Sequence, residues 1–132
     1  MHRVNPPWSR ELISELSRAV EHAAGDFTVT DLLFVAGTGG AQIWQLEHEG
    51  QWLGAVVTQI AEYPRQRVLR ILALAGKGIA PYVKEMLDVL LQFGAQNRAA
   101  QIEANARPSM ERLMRRYGFY STYAVMRFGG QS

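Results

Sequence analysis

Gly76-Lys77-Gly78, set between an apolar run and a helix led by Pro81, is the stretch of this chain with the most chemical content. A helix N-terminus offers unpaired N–H groups and the positive end of a dipole to an anion, although the same residues also make an ordinary strand-to-helix turn. None of the 132 residues is cysteine, which removes thiol nucleophiles, thiolate metal sites and disulfides together. His2, His22 and His48 have no metal-like spacing, and neither a Gly-x-Ser-x-Gly elbow nor a paired-carboxylate pattern occurs. No metal is expected, and any catalysis uses oxygen or nitrogen groups. Arg107, Arg112, Arg115 and Arg116 form a local basic cluster. It either complements the dipole of the helix it lies on or meets a phosphate or an acidic partner.

The elements that would position these groups follow from periodicity. Asn5-Pro6 reads as a cap and first turn ahead of Leu12, Ile13, Leu16, Ala19 and Val20, an amphipathic helix ending near Gly25. Thr28 and Asp31 have capping-box spacing before a short second helix that Gly37-Thr38-Gly39-Gly40 stops. The period then changes to that of strands. A hairpin runs over 41–60 with its turn at Glu49-Gly50, a third strand over 68–74 is interrupted only by Arg70, and the three are expected to be antiparallel. A long helix from Pro81 carries Met86 and Leu90, a short strand covers 100–105, and a helix opened by Pro108 closes at Gly118. The aromatic run 119–128 is expected as a last strand. The order is α-α-β-β-β-α-β-α-β, with the Pro81 helix on one face of a twisted, mixed and mainly antiparallel sheet and the first two helices on the other.

Composition agrees with one α/β (α+β) domain over residues 1–132: 48% of residues are hydrophobic and 20% charged, so a core forms without a fibrous or disordered segment. No apolar run approaches the roughly 18 to 20 residues that span a bilayer, and Met1–Pro7 lacks an apolar signal core, so no membrane is expected and the location is read as cytoplasmic. A net charge of +2 does not favour nucleic acid as a partner. Trp8, Trp44 and Trp52 are read as core or sheet packing rather than ligand platforms.

Two stretches carry a resemblance. Residues 107–119 resemble the Asn-x-x-Ala-x-x-Leu-Tyr-x-x-x-Gly-Phe segment of the GNAT (Gcn5-related N-acetyltransferase) superfamily, matching at Leu113, Gly118 and Phe119; residues 75–80 resemble its Gln/Arg-x-x-Gly-x-Gly/Ala signature, matching at Gly78 and Ala80. The element order is similar to the GNAT core along nearly the whole chain. The stretches 59–76 and 103–119 also resemble the degenerate GNAT-like proteins encoded among the structural genes of tailed bacteriophages.

The resemblance implies an acetyl-CoA-dependent N-acyltransferase acting on an amine. Its coenzyme would lie against Leu74, Gly76, Lys77, Gly78, Ile79, Ala80 and Asn105, in a cleft between splayed strands near 72–78 and 104–105. The family often places its general acid, a tyrosine, where this chain has Met114; Tyr117 is the nearby candidate. For the base, the third strand offers no carboxylate or histidine, which leaves Glu62, Glu103 and His48, with Glu62 taken first. Met114, Ala75 and Pro81 depart from an active family pattern. They support the alternative implied by the phage resemblance, a GNAT-shaped virion or assembly protein that binds phage structural proteins or itself.

Overall fold

A computed structural model describes residues 1–21, 27–76, 78–105, 108–122, 126, 128 and 129, with the backbone alone at 108–110. Its elements are β1 (His2–Arg3), α1 (Arg10–Val20), α2 (Val29–Gly37), β2 (Gln42–His48), β3 (Gln51–Tyr63), β4 (Gln66–Ala75), a 3₁₀ turn (Ala80–Tyr82), α3 (Val83–Gln96), β5 (Ala99–Ala104) and α4 (Pro108–Arg116). The sheet runs β1-β2-β3-β4-β5, antiparallel except that β5 lies parallel to β4.

Alternation along the strands divides the core between the two faces. Trp44, Val56, Leu69 and Ile71 pack with Val83, Met86 and Leu90 of α3, while Ile43, Ala55, Val57 and Ala73 pack with Leu12 and Leu16 of α1 and Leu32 of α2. The helices therefore divide between the faces as their apolar spacing predicts. Gly94 permits the approach of α3 to β5, because a Cβ there would lie 2.7 Å from the Ala99 carbonyl oxygen.

The order expected from the sequence holds from α1 to α4 and differs at both ends. The first helix starts at Arg10, with Ser9 as its cap, whose Oγ accepts from the Leu12 N–H at 3.1 Å. A residue that precedes proline is pushed out of the helical region, so Pro6-Pro7 cannot open the helix that Asn5 was expected to cap. That helix ends at Val20; the expected boundary at Gly25 lies outside the described residues. The second cap forms as expected, Thr28 and Asp31 each accepting from the other's N–H through a side-chain oxygen. Strand β1 went unpredicted because two residues carry no period. The last strand expected over 119–128 is absent at 119–122, 126 and 128. Strand propensity is realised only against a neighbouring strand, and among the described residues Tyr120, Met126 and Phe128 stand exposed without one. Residues 123–125 and 127 lie outside the described residues.

Candidate functional site

Strands β4 and β5 stay paired from Arg67 opposite Ala99 up to Ile71 opposite Ala104, and there they part. Strand β4 continues for four more residues, Leu72 to Ala75, about 13 Å of strand with only β3 beside it among the described residues. A bulge marks the parting point. Val57 faces Ala73 and Thr58 faces Ile71, which leaves Leu72 as the extra residue. The bulge shifts the side-chain phase, so that Ile71 faces α3 while Leu72 and Ala73 both face the α1 and α2 side. The sequence carried no signal for it, because the run 68–75 is apolar on both faces. Asn105, exposed directly after β5, stands at the mouth of the opening.

Beyond Ala75 the chain turns sharply and is tied to β3. A second bulge, at Leu53, presents the carbonyl oxygen that accepts from the Gly78 N–H at 3.3 Å. A Cβ on Gly76, where φ is +111°, would lie 2.4 Å from that oxygen, and one on Gly78 would lie 2.9 Å from Leu53 Cδ2. Both glycines thus fit against β3. Gly54, a glycine inside a strand, is a signal in the sequence that could have announced this close approach. Ile79 is buried in the core beside α3, Ala80 is exposed, and Lys77 lies outside the described residues. Neither the 3₁₀ turn, with Pro81 in its first positions, nor α3 carries a side-chain cap.

On the α3 face, Leu74 joins Met86, Leu113, Met114 and Phe119 around a small apolar cavity. Met114, where the resemblance implies a tyrosine, is a wall of that cavity. Tyr117 is in the turn after α4, 39% exposed and outside the cavity lining, its N–H donating to the Met114 carbonyl at 3.0 Å.

On the opposite face, one residue before the strands part, Arg70 and Glu103 face each other across β4 and β5. Arg70 Nε donates to Glu103 Oε1 at 3.0 Å, the Tyr63 hydroxyl lies 2.8 and 3.0 Å from the two Glu103 oxygens, and Arg70 Nη2 donates to the Tyr63 oxygen. The hydrogen bond to Glu103, with burial second, raises the Tyr63 pKa above its ordinary value. Burial works against the Arg70 charge, but the bonds to Tyr63 and Glu103 outweigh it and raise its pKa. The sequence showed Arg70 only as an interruption and placed neither partner beside it.

Glu62, the first-choice base, is exposed and paired with Arg67. Arg67 precedes Leu72 by five residues, which puts Glu62 about 16 Å along the strand from the opening. Glu103, opposite Arg70, stands nearer that opening. His48 lies at the tip of the β2–β3 hairpin, its ring 5.7 Å from that of Tyr82. Among the described residues no cluster of three or more His, Asp or Glu could hold a metal ion, and no helix is long and apolar enough to cross a membrane. Trp44 is buried and Trp8 and Trp52 pack against the α1 and α2 core.

No protein-family model and no curated protein matches the chain. Solved structures do. A predicted acetyltransferase from Clostridium acetobutylicum, crystallised with acetyl-CoA, superposes with a TM-score of 0.68 at 14% identity over 90% of this chain and 88% of its own. The chain has a GNAT-like fold. An acetyltransferase from Trypanosoma brucei superposes at 0.62 and 12% identity over 92% and 95% of the two chains. An aminoglycoside acetyltransferase from an uncultured soil sample, in complex with sisomicin, does so at 0.66 and 13% over 99% and 94%. Superpositions at identities this low show the GNAT-like fold alone and leave the chemistry to the site.

Proposed function

We propose that the protein is an acyl-coenzyme A-dependent N-acyltransferase of the GNAT superfamily, with acetyl-CoA as donor and an amine as acceptor. The observation that carries this reading is the parting of β4 from β5 after Ile71 and Ala104 beside a helix start without a side-chain cap. The residues present fit the donor. Its pantetheine arm is a linear chain with two amide groups, and the open edge at 72–75 offers it backbone partners as it would an added strand. An anion at the turn would meet the N–H groups of Ile79 and Ala80, since those of Tyr82 and Val83 are given to the Ile79 and Ala80 carbonyls. The cradle is a narrow one, because the Gly78 N–H is given to Leu53 and Pro81 has none.

When bound, the coenzyme supplies an activated thioester. This chain's part is to hold it, orient the amine and take its proton. Glu103 is the carboxylate beside the opening, fixed by Arg70 and Tyr63, and we assign it the proton-accepting role in place of Glu62; Tyr117 stays the candidate acid for the leaving thiolate. Calorimetric titration with acetyl-CoA tests the reading. Saturable one-to-one binding, with thiol release on adding a panel of small amines, is expected, and no binding at millimolar ligand would overturn it.

A second reading is favoured by the exposed Tyr120, Met126 and Phe128. In it the chain is a non-catalytic binding module of GNAT shape, in the manner of a phage virion or assembly protein, and those apolar side chains meet a protein partner. The same titration separates the two, since this module binds no coenzyme.

A further inference from the structure

We propose that the apolar cavity between β4, α3 and α4 receives the hydrocarbon end of the transferred acyl group and limits it to a short chain, an inference that rests on the acyltransferase reading. Ile71 and Leu74 form its β4 side, Met86 lies on α3, and Leu113, Met114 and Phe119 close it from α4 and its exit. Ile71 is the last β4 residue paired to β5 and Leu74 belongs to the free end, so the cavity borders the opening itself. It is lined by apolar surface alone and has a volume of about 20 Å3. A space of that size takes about one water-sized group, and an apolar one stays dry.

The lining selects among the groups that the reaction brings. An ammonium or a phosphate would lose its hydration there with no partner in return, whereas a methyl group loses nothing. The acetyl methyl fits the volume; each further carbon must displace a wall. Two of the walls, Met86 and Met114, are unbranched and adaptable, so propionyl is tolerated while longer chains overpack the space. Met114 is then a specificity-determining residue in a position where an acid was expected.

The test compares dissociation constants of free coenzyme A and its acetyl, propionyl, butyryl and hexanoyl thioesters, by calorimetry, for the wild type and Met114→Ala. In the wild type, acetyl and propionyl thioesters are expected within about threefold of each other and hexanoyl at least about tenfold weaker, the scale on which apolar pockets discriminate by chain length. Met114→Ala should bring hexanoyl within about threefold of acetyl while leaving free coenzyme A unchanged, a pattern that general damage to the fold would not give. Met114→Val, milder in volume, should move the same ratio in the same direction if the alanine variant fails to fold. Equal binding of hexanoyl and acetyl thioesters by the wild type, or an unchanged ratio in both variants, overturns this inference and leaves the acyltransferase reading standing. Failure of the wild type to bind any thioester or coenzyme A overturns both.

Discussion

Gly76 stands so close to Leu53 that a Cβ on it would lie 2.4 Å from the Leu53 carbonyl oxygen, and its φ of +111° is one that residues with side chains rarely adopt. The turn that ends β4 is thereby fixed to the β3 bulge before any ligand arrives. Gly76→Ala should cost about 2 kcal/mol or more, because neither the Leu53 backbone nor the Gly54 Cα, 2.5 Å from the same point, can yield cheaply. Gly78→Ala meets the end of the Leu53 side chain most closely, Cδ2 at 2.9 Å, with the Leu53 Cβ and Cα at 3.4 and 3.6 Å, and should cost less than about 1 kcal/mol. Urea denaturation of the two variants checks the ranking, and equal losses would mean that the turn is free to move.

Ala80 tests the proposed anion site without touching this packing, since its side chain is exposed at the first residue of the 3₁₀ turn. Ala80→Glu places a negative charge where the helix dipole favours one, so the unliganded melting temperature should hold or rise slightly. The same charge repels a pyrophosphate, and acetyl-CoA affinity should fall by about tenfold, or about 1.4 kcal/mol. Ala80→Gln, of similar size, should lose much less. Equal losses in the two variants would show that bulk rather than charge is responsible.

The helices, the hairpin and both core faces were legible because periods of 3.6 and 2 persist over many residues. Leu16, Val56, Val57, Leu69, Ile71, Met86 and Leu90, on the apolar phases of their elements, are buried, whereas Val20, Ile102, Leu113 and Phe119 are only partly so. The turn at 76–80 was legible from its glycines, but which way they face was not. Gly78 read as a place where phosphate approaches the backbone, and its open side is filled by Leu53. The bulge at Leu72 and the grouping of Tyr63, Arg70 and Glu103 depend on strand register, a long-range property that spacing along one strand does not carry.

A buried polar relay gives a third test. Trp44 Nε1–H donates to Thr58 Oγ1 at 2.9 Å, and the Thr58 hydroxyl donates to Gln42 Oε1 at 2.8 Å, with Thr58 fully buried. Thr58→Val keeps the shape but leaves the indole N–H and the Gln42 carbonyl without their partner, for an expected loss of about 1 to 3 kcal/mol. Thr58→Ser keeps both bonds, gives up one methyl and should cost about 1 kcal/mol. A Val variant as stable as the wild type would mean that the relay contributes nothing.

The last test concerns pH. Tyr63 has its pKa raised in the folded protein above the ordinary 10.0, first by its hydrogen bond to Glu103 and then by burial. A raised pKa means that the fold favours the neutral phenol, which can donate to the carboxylate; the phenolate would face Glu103 as a like charge. The stabilisation is therefore complete below the unfolded pKa and is lost as pH rises through the folded one. Denaturation midpoints taken between pH 8 and about pH 11 should fall more steeply above pH 10 for the wild type than for Tyr63→Phe, which has no proton to lose there. Arg70 remains charged throughout this range, its pKa being raised as well, so the difference between the two curves isolates the phenol. Parallel curves would show that Tyr63 ionises as freely in the folded chain as in the unfolded one, and that the bonds joining it to Glu103 do not persist in solution.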